Sequence, residues 1–210
     1  MEKKGLLVVI SGFSGSGKGT LMKELLKRYD DTYALSISAT TRSPREGELH
    51  GREYFFVTKA EFEKMIENEE LIEYAGYVGN YYGTPKPYVL SKLLEGKDVI
   101  LEIEVQGATD LKKRYPEAVM IFITPPDKKT LEKRLVGRGT ESKAQIENRL
   151  ERAAKEADSM ENYDYLIIND DIDETVEKIH NLIQVQHCLI KYNKEVIEKI
   201  KEDLCHKEEN

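Results

Sequence analysis

LLVVISGFSGSGKGT, residues 6–20, decides the architecture. Residues 6–11 form a continuous apolar run of strand length, and a segment of helical period follows over residues 18–29. Between them the glycines from Gly12 to Gly19 build a loop of the pattern G-x-x-x-x-G-K. Glycines at Gly12, Gly15 and Gly17, with Ser14 and Ser16 between them, let successive backbone N–H groups turn toward one anion. The opening turn of the helix adds partial positive charge. Lys18 brings a mobile point charge that reaches the β- and γ-phosphates of a triphosphate. One departure from the usual pattern matters. Gly19 stands where a hydroxyl residue commonly follows the lysine, and Thr20 comes one place later. Thr20 is therefore expected to bond a phosphate, with magnesium held through waters and by the nucleotide itself.

Working outward, apolar runs alternate with helix-period segments. Residues 33–38, 98–105 (DVILEIEV), 118–124 (AVMIFIT) and 165–169 (YLIIN) read as further strands, the last before a long C-terminal helix. Nearly continuous apolar strands imply a parallel sheet covered on both faces. Residues 40–87 break the rhythm. They are polar and rich in Tyr and Gly, with short extended pieces at 54–57 and 74–78 and one helix opened by a Thr58…Glu61 capping box. GRGTES, residues 137–142, is a second break, and Ser142 with Gln145 can cap the helix after it.

The bulk properties exclude several classes. Of 210 residues 40% are hydrophobic, enough for a sizeable core, and the net charge of -7 argues against a nucleic-acid partner. No run has the length of a signal peptide or a membrane span. Cys188 and Cys205 form no disulfide framework or zinc pattern, so the expected compartment is the reducing cytoplasm. The four histidines, His50, His180, His187 and His206, have no metal spacing or evident carboxylate partner and receive no role.

Arg42 and Arg45 follow the 33–38 run and suit a second anionic group, or else form a solvated basic loop. Glu102 and Glu104 fall on one face of the 98–105 strand by its period of two, which reads as a site face or as the wet face of an edge strand. Leu131 with Leu135, and Arg134 with Arg138, give one helix an apolar and a basic row. Between residues 173 and 204 apolar positions recur. The first half is expected on the core. The second, interrupted by residues 191–194, is read either as a reach toward a homo-oligomeric partner or as a frayed surface helix.

The loop GFSGSGKGT, then SATTRSPREGE with GREYFF, GNYYGT, LEIEVQG, GRGTES and IINDD, stand in one order over residues 5–180. In this the chain resembles the guanylate kinases, and the set is far more specific than the loop alone. The resemblance implies an α/β fold: a P-loop NTPase-type parallel sheet with helices on both faces, an inserted small mixed α/β GMP-binding subdomain, and a lid. It implies a core of residues 3–37 and 88–182, an insertion at about 38–87, a lid at about 137–149, and a helical extension over 183–210. The implied activity is ATP-dependent phosphorylation of GMP, and of dGMP, with Mg²⁺ entering as MgATP. Carried over residue by residue, Gly12, Ser14, Gly15, Ser16, Gly17, Lys18, Gly19, Thr20 and Asn169 would hold ATP, Asn169 near its adenine. Arg42, Arg45, Tyr54 and Tyr82 would take the GMP phosphate. Ser38, Glu73, Thr84 and Glu104 would contact guanine. Arg134, Arg138 and Arg149 would converge with Lys18 on the moving phosphoryl group, and magnesium would sit near Glu102 through water. Two alternatives stay open from sequence: a kinase for another nucleoside monophosphate, and a non-catalytic interaction module on the same fold.

Overall fold

The computed structural model describes residues 4–77, 79–137 and 142–205. β1 (Leu7–Gly12) leads through the glycine loop into α1 (Lys18–Arg28) and on to β2 (Tyr33–Leu35). The chain then leaves for a separate sheet: β3 (Ala39–Thr40), β4 (Phe55–Phe56), α2 (Lys59–Glu67), β5 (Leu71–Tyr77) and β6 (Asn80–Pro85). It returns through α3 (Lys86–Leu94), β7 (Asp98–Glu102), α4 (Val105–Arg114), β8 (Val119–Thr124), α5 (Lys128–Val136), α6 (Lys143–Ala157), β9 (Tyr165–Ile168) and α7 (Ile172–Gln186), and ends in α8 (Lys194–Cys205).

The first sheet is parallel throughout, in the order β2-β7-β1-β8-β9. The middle strand β1 is apolar on both sides because both faces are covered. Val8 and Ile10 pack with Leu21 and Leu25 of α1 and with Val176, Ile179 and Ile183 of α7. Val9 faces the other way, with Val89 of α3 and with Ala108 and Leu111 of α4. Strands on either side of β1 leave a crevice at its carboxyl end, where ligands bind in such sheets. The second sheet has the order β4-β3-β6-β5 and its own small core of Ala39, Phe62 and Leu71.

Several boundaries differ from the sequence reading. The run 33–38 is divided: only β2 belongs to the large sheet, and the chain crosses to the small one at Ala39. The run 98–105 ends as a strand at Glu102, and Glu104 is the N-cap of α4, so the two glutamates do not share a strand face. The C-terminal helix is broken over residues 187–193. α7 runs past residue 182 and buries Ile183, so the core extends beyond that boundary. None of the α8 residues is buried, and Ile200 and Leu204 are exposed. No described helix is long and apolar enough to cross a membrane.

Two histidines also prove to be partnered. His187 Nε2 lies 2.9 Å from Oδ1 of Asp98, a carboxylate only 1% exposed that also accepts from Leu6 N at 2.8 Å. His180 Nδ1 lies 2.8 Å from the Tyr33 hydroxyl and stacks on Tyr29. Burial lowers the His180 pKa and raises that of Tyr33. These contacts tie the end of α7 to the amino ends of β1 and β7. Removing His187 takes a partner from a buried carboxylate, so His187→Ala is expected to destabilise the fold by roughly 1–3 kcal/mol. Urea unfolding checks this: the midpoint should fall with an unchanged slope, and an unmoved midpoint would mean that the pair contributes nothing.

Candidate active site

The glycine loop is built around close approach. Gly15 and Gly17 hold φ of +92° and +93°, left-handed values that favour glycine. A Cβ on Gly17 would stand 2.5 Å from Asn169 Nδ2. Gly17 is the N-cap of α1 and offers no side chain, so the first-turn N–H groups are left for a ligand. Lys18 Nζ donates to the carbonyls of Gly12 at 2.6 Å and Phe13 at 3.2 Å. Beneath the loop, Asn169 Nδ2 donates to Ser16 O at 2.7 Å. Arg134 reaches Ser16 O at 3.3 Å and Asn169 O at 2.9 Å. Arg149, on α6, donates to the Ser14 hydroxyl. The helix that presents Arg149 begins with the expected cap: Ser142 accepts from Gln145 N, and the Gln145 side chain accepts from Ser142 N at 2.7 Å. Leu131 and Leu135 of α5 are buried, which turns Arg134 toward the loop.

The opposite wall comes from the small sheet and the segment leading into it. Arg42 forms a two-pronged pair with Glu48, at 2.9 and 3.0 Å, and its guanidinium carbon lies 5.3 Å from the Tyr54 ring centre. Glu48 also accepts from Arg45 N at 2.7 Å, so one carboxylate fixes both arginines' segments. The Arg42 bonds pull the Glu48 pKa below its ordinary value, and the Arg45 amide adds to this. Tyr54 and Tyr82 stand 6.1 Å apart, centre to centre.

Glu73, on β5, is the most unusual group. The residue is 7% exposed, and its Oε1 accepts from the Thr84 hydroxyl at 2.7 Å. Burial raises its pKa, against the opposing effect of Thr84. Glu102 is exposed at the end of β7, yet the cleft walls around it displace enough solvent to push its carboxyl up, with Lys18 opposing and Glu104 adding to the rise. Glu104 accepts from Arg152 at 2.7 Å.

These walls enclose one cleft of about 830 Å³. Ser14, Gly15, Gly17, Lys18, Gly19 and Thr20 line it on one side, and Ser38, Arg42, Arg45, Tyr54, Glu73, Tyr82, Glu102 and Glu104 on the other. Gly12, Ser16, Thr84, Asn169, Arg134 and Arg149 do not line it. Thr84 touches it through Glu73, and Asn169, 3% exposed, braces the loop from below. Arg138 lies outside the described residues. Sequence reasoning missed Glu48, whose signal was its place six residues after Arg42 inside SATTRSPREGE, and Gly107, which faces Glu73 from α4.

The oxygen donors present suit a hard cation that keeps most of its waters. Thr20 and Glu102 face the cleft, and no cluster of three or more His, Cys, Asp or Glu side chains forms a cage among the described residues.

Residues 4–186 match the family model described as guanylate kinase. A guanylate kinase of Bacillus anthracis is 52% identical over 201 residues, 94% of this chain and 98% of that one. A guanylate kinase of Caldanaerobacter subterraneus subsp. tengcongensis is 48% identical over 203 residues, 97% and 98% of the two chains. The crystal structure of guanylate kinase from Anaplasma phagocytophilum aligns with a TM-score of 0.70 at 33% identity, covering 90% of this chain and 89% of that one.

Proposed function

Because the chain belongs to the guanylate kinase family, we propose that its cleft transfers the γ-phosphoryl group of ATP to GMP, giving ADP and GDP in purine nucleotide metabolism. The observation that carries the reading is one cleft with Lys18 on one wall and the buried Glu73 on the other. A triphosphate-binding loop thus faces a carboxylate able to read a base.

The phosphate oxygen of GMP is already anionic, so the reaction needs no protein nucleophile or general base. The protein's work is positioning and charge. The loop amides and Lys18 hold the β- and γ-phosphates, and Thr20 bonds a phosphate oxygen. Arg42, Arg45, Tyr54 and Tyr82 hold the GMP phosphate in line. Ser38, Glu73 and Glu104 meet the guanine, with Thr84 acting beside Glu73. Arg134 and Arg149 place positive charge about the equatorial oxygens, joined by Arg138 from the lid assigned to residues 137–149, part of which lies outside the described residues. Glu102 would hold magnesium through its waters, and the ion would supply neutralising charge to the triphosphate. The parallel-sheet core, which runs on through the end of α7, serves ATP, and the insertion over residues 38–87 serves GMP. The exposed apolar side chains of α8 support self-association of the C-terminal extension.

ADP release measured with MgATP and a panel of nucleoside monophosphates tests the reading. GMP and dGMP are expected to be turned over, with AMP, CMP and UMP near background. Equal turnover of AMP would point to another monophosphate kinase, and no turnover at all to a binding module.

A further inference from the structure

Gly107 is the third residue of α4, the helix whose N-cap is Glu104 and whose first turn lacks a side-chain cap. It is buried, and it lines the cleft. A Cβ built there would stand 2.9 Å from Glu73 Oε2 and 3.8 Å from Glu73 Cδ. Outside its own helix backbone and chain neighbours, no other atom comes nearer than 3.9 Å. The missing side chain is therefore space occupied by one carboxylate oxygen.

We propose that Gly107 is a positioning residue for base recognition: its bare Cα lets the Glu73 carboxylate sit against the first turn of α4 in the orientation that meets guanine. The inference rests on the function proposed above and adds a residue to it. The two oxygens of Glu73 are fixed differently. Oε1 is held by the Thr84 hydroxyl at 2.7 Å, and Oε2 rests over Gly107. Ordinary contact with a carbon begins near 3.4 Å, so a methyl group at 107 drives Oε2 back by about half an ångström. With Oε1 held, the carboxylate answers by tilting. A tilted carboxylate cannot accept guanine N1–H and N2–H together, because these bonds weaken steeply off line.

Helix propensity points the other way. Glycine inside a helix is unfavourable relative to alanine, and the clashing atom is the end of a flexible side chain, which moves without disturbing backbone. Gly107→Ala therefore should fold at least as well as wild type while reading the base less well. A residue that served packing alone would give the reverse.

The test is a double-mutant cycle of Gly107→Ala with Glu73→Ala. It is read as kcat/KM for GMP and AMP, KM for ATP, and the thermal midpoint. Gly107→Ala is expected to lower kcat/KM for GMP about 10- to 100-fold, the loss of one charge-assisted hydrogen bond. The GMP:AMP ratio should fall with it, while KM for ATP stays put and the midpoint is not lowered. On the Glu73→Ala background, with no carboxylate to displace, the same change should have no further effect. An unchanged GMP:AMP ratio in Gly107→Ala overturns the inference, as does an equal loss on both backgrounds. Wild-type turnover of GMP is the separate control. Its absence sinks the reading of the whole cleft, whereas a selective wild type beside an equally selective Gly107→Ala enzyme sinks the role of Gly107 alone.

Discussion

Lys18→Ala is expected to leave the fold intact and to lower kcat by roughly 10²–10³-fold, the scale for removing one preorganised charge from a transition state. The fold should survive because the loop is shaped by other contacts. Gly15 and Gly17 set its turns, and Asn169 and Arg134 brace the Ser16 carbonyl from beneath. The activity should not survive, because Lys18 is the loop's only cationic side chain and its amine lies within reach of the Gly12 and Phe13 carbonyls at the cleft wall. The charge it opposes grows as the phosphoryl group moves, so the loss should fall more on kcat than on ATP affinity. Steady-state kinetics on the folded variant decides the matter, and a near-normal kcat would remove Lys18 from the reaction.

Base selectivity should be the second large effect. Guanine presents N1–H and N2–H₂ as donors beside the O6 acceptor, whereas adenine offers an N1 lone pair at the corresponding edge. An ionised carboxylate only accepts. Glu73 therefore suits guanine and meets adenine with two lone pairs opposed. Its burial makes the mismatch costly, since the charge keeps its Thr84 hydrogen bond but gains no donor from the base. Sites of this kind reject a mismatched analogue by about 10⁴–10⁵-fold. Because the cleft is open and admits water, GMP should be preferred over AMP by at least about 10³-fold in kcat/KM. Glu73→Gln should erode the preference, because the amide can turn an N–H toward adenine N1. Burial also raises the Glu73 pKa, so the acceptor is lost to protonation at a higher pH than for an exposed glutamate, and selectivity should weaken as the medium is acidified. Comparable wild-type values for the two monophosphates would refute the assignment of guanine, and unchanged selectivity in Glu73→Gln would take Glu73 out of the site.

Local signals were the legible ones. The loop after β1 announces itself because a strand buried on both faces must be continuously apolar and the glycines must follow it. The capping boxes at Thr58 and Ser142 are read three residues apart and form as read. The strand ending at Glu102 was overrun because Glu104, as an N-cap, keeps extended backbone at φ -70° and ψ 155°, and its neighbours are β-branched. β6 was hidden in a polar, tyrosine-rich stretch, since a short strand in a small sheet need not be apolar on both faces. The pair of His187 and Asp98 spans 89 residues, and no periodicity brings such positions together. The seat of Glu73 over Gly107 likewise exists only once β5 has packed on α4.

The pairing of Arg42 with Glu48 has a consequence for how the cleft treats stray anions. The guanidinium already holds a carboxylate in both prongs, tethered within a few residues and so at high local concentration. A free phosphate or sulfate ion arriving alone must evict that tenant and brings nothing else to the exchange. A nucleotide bound as proposed would bring its base as well, and the bonds to that base would tip the balance. On the proposed assignment of Arg42 to the GMP phosphate, Glu48 would act as a resident competitor: it would keep the subsite from being clogged by abundant inorganic anions and make occupancy conditional on a ligand recognised at both ends. Since one anion replaces another, the exchange should also respond less to ionic strength than capture by two unpaired arginines.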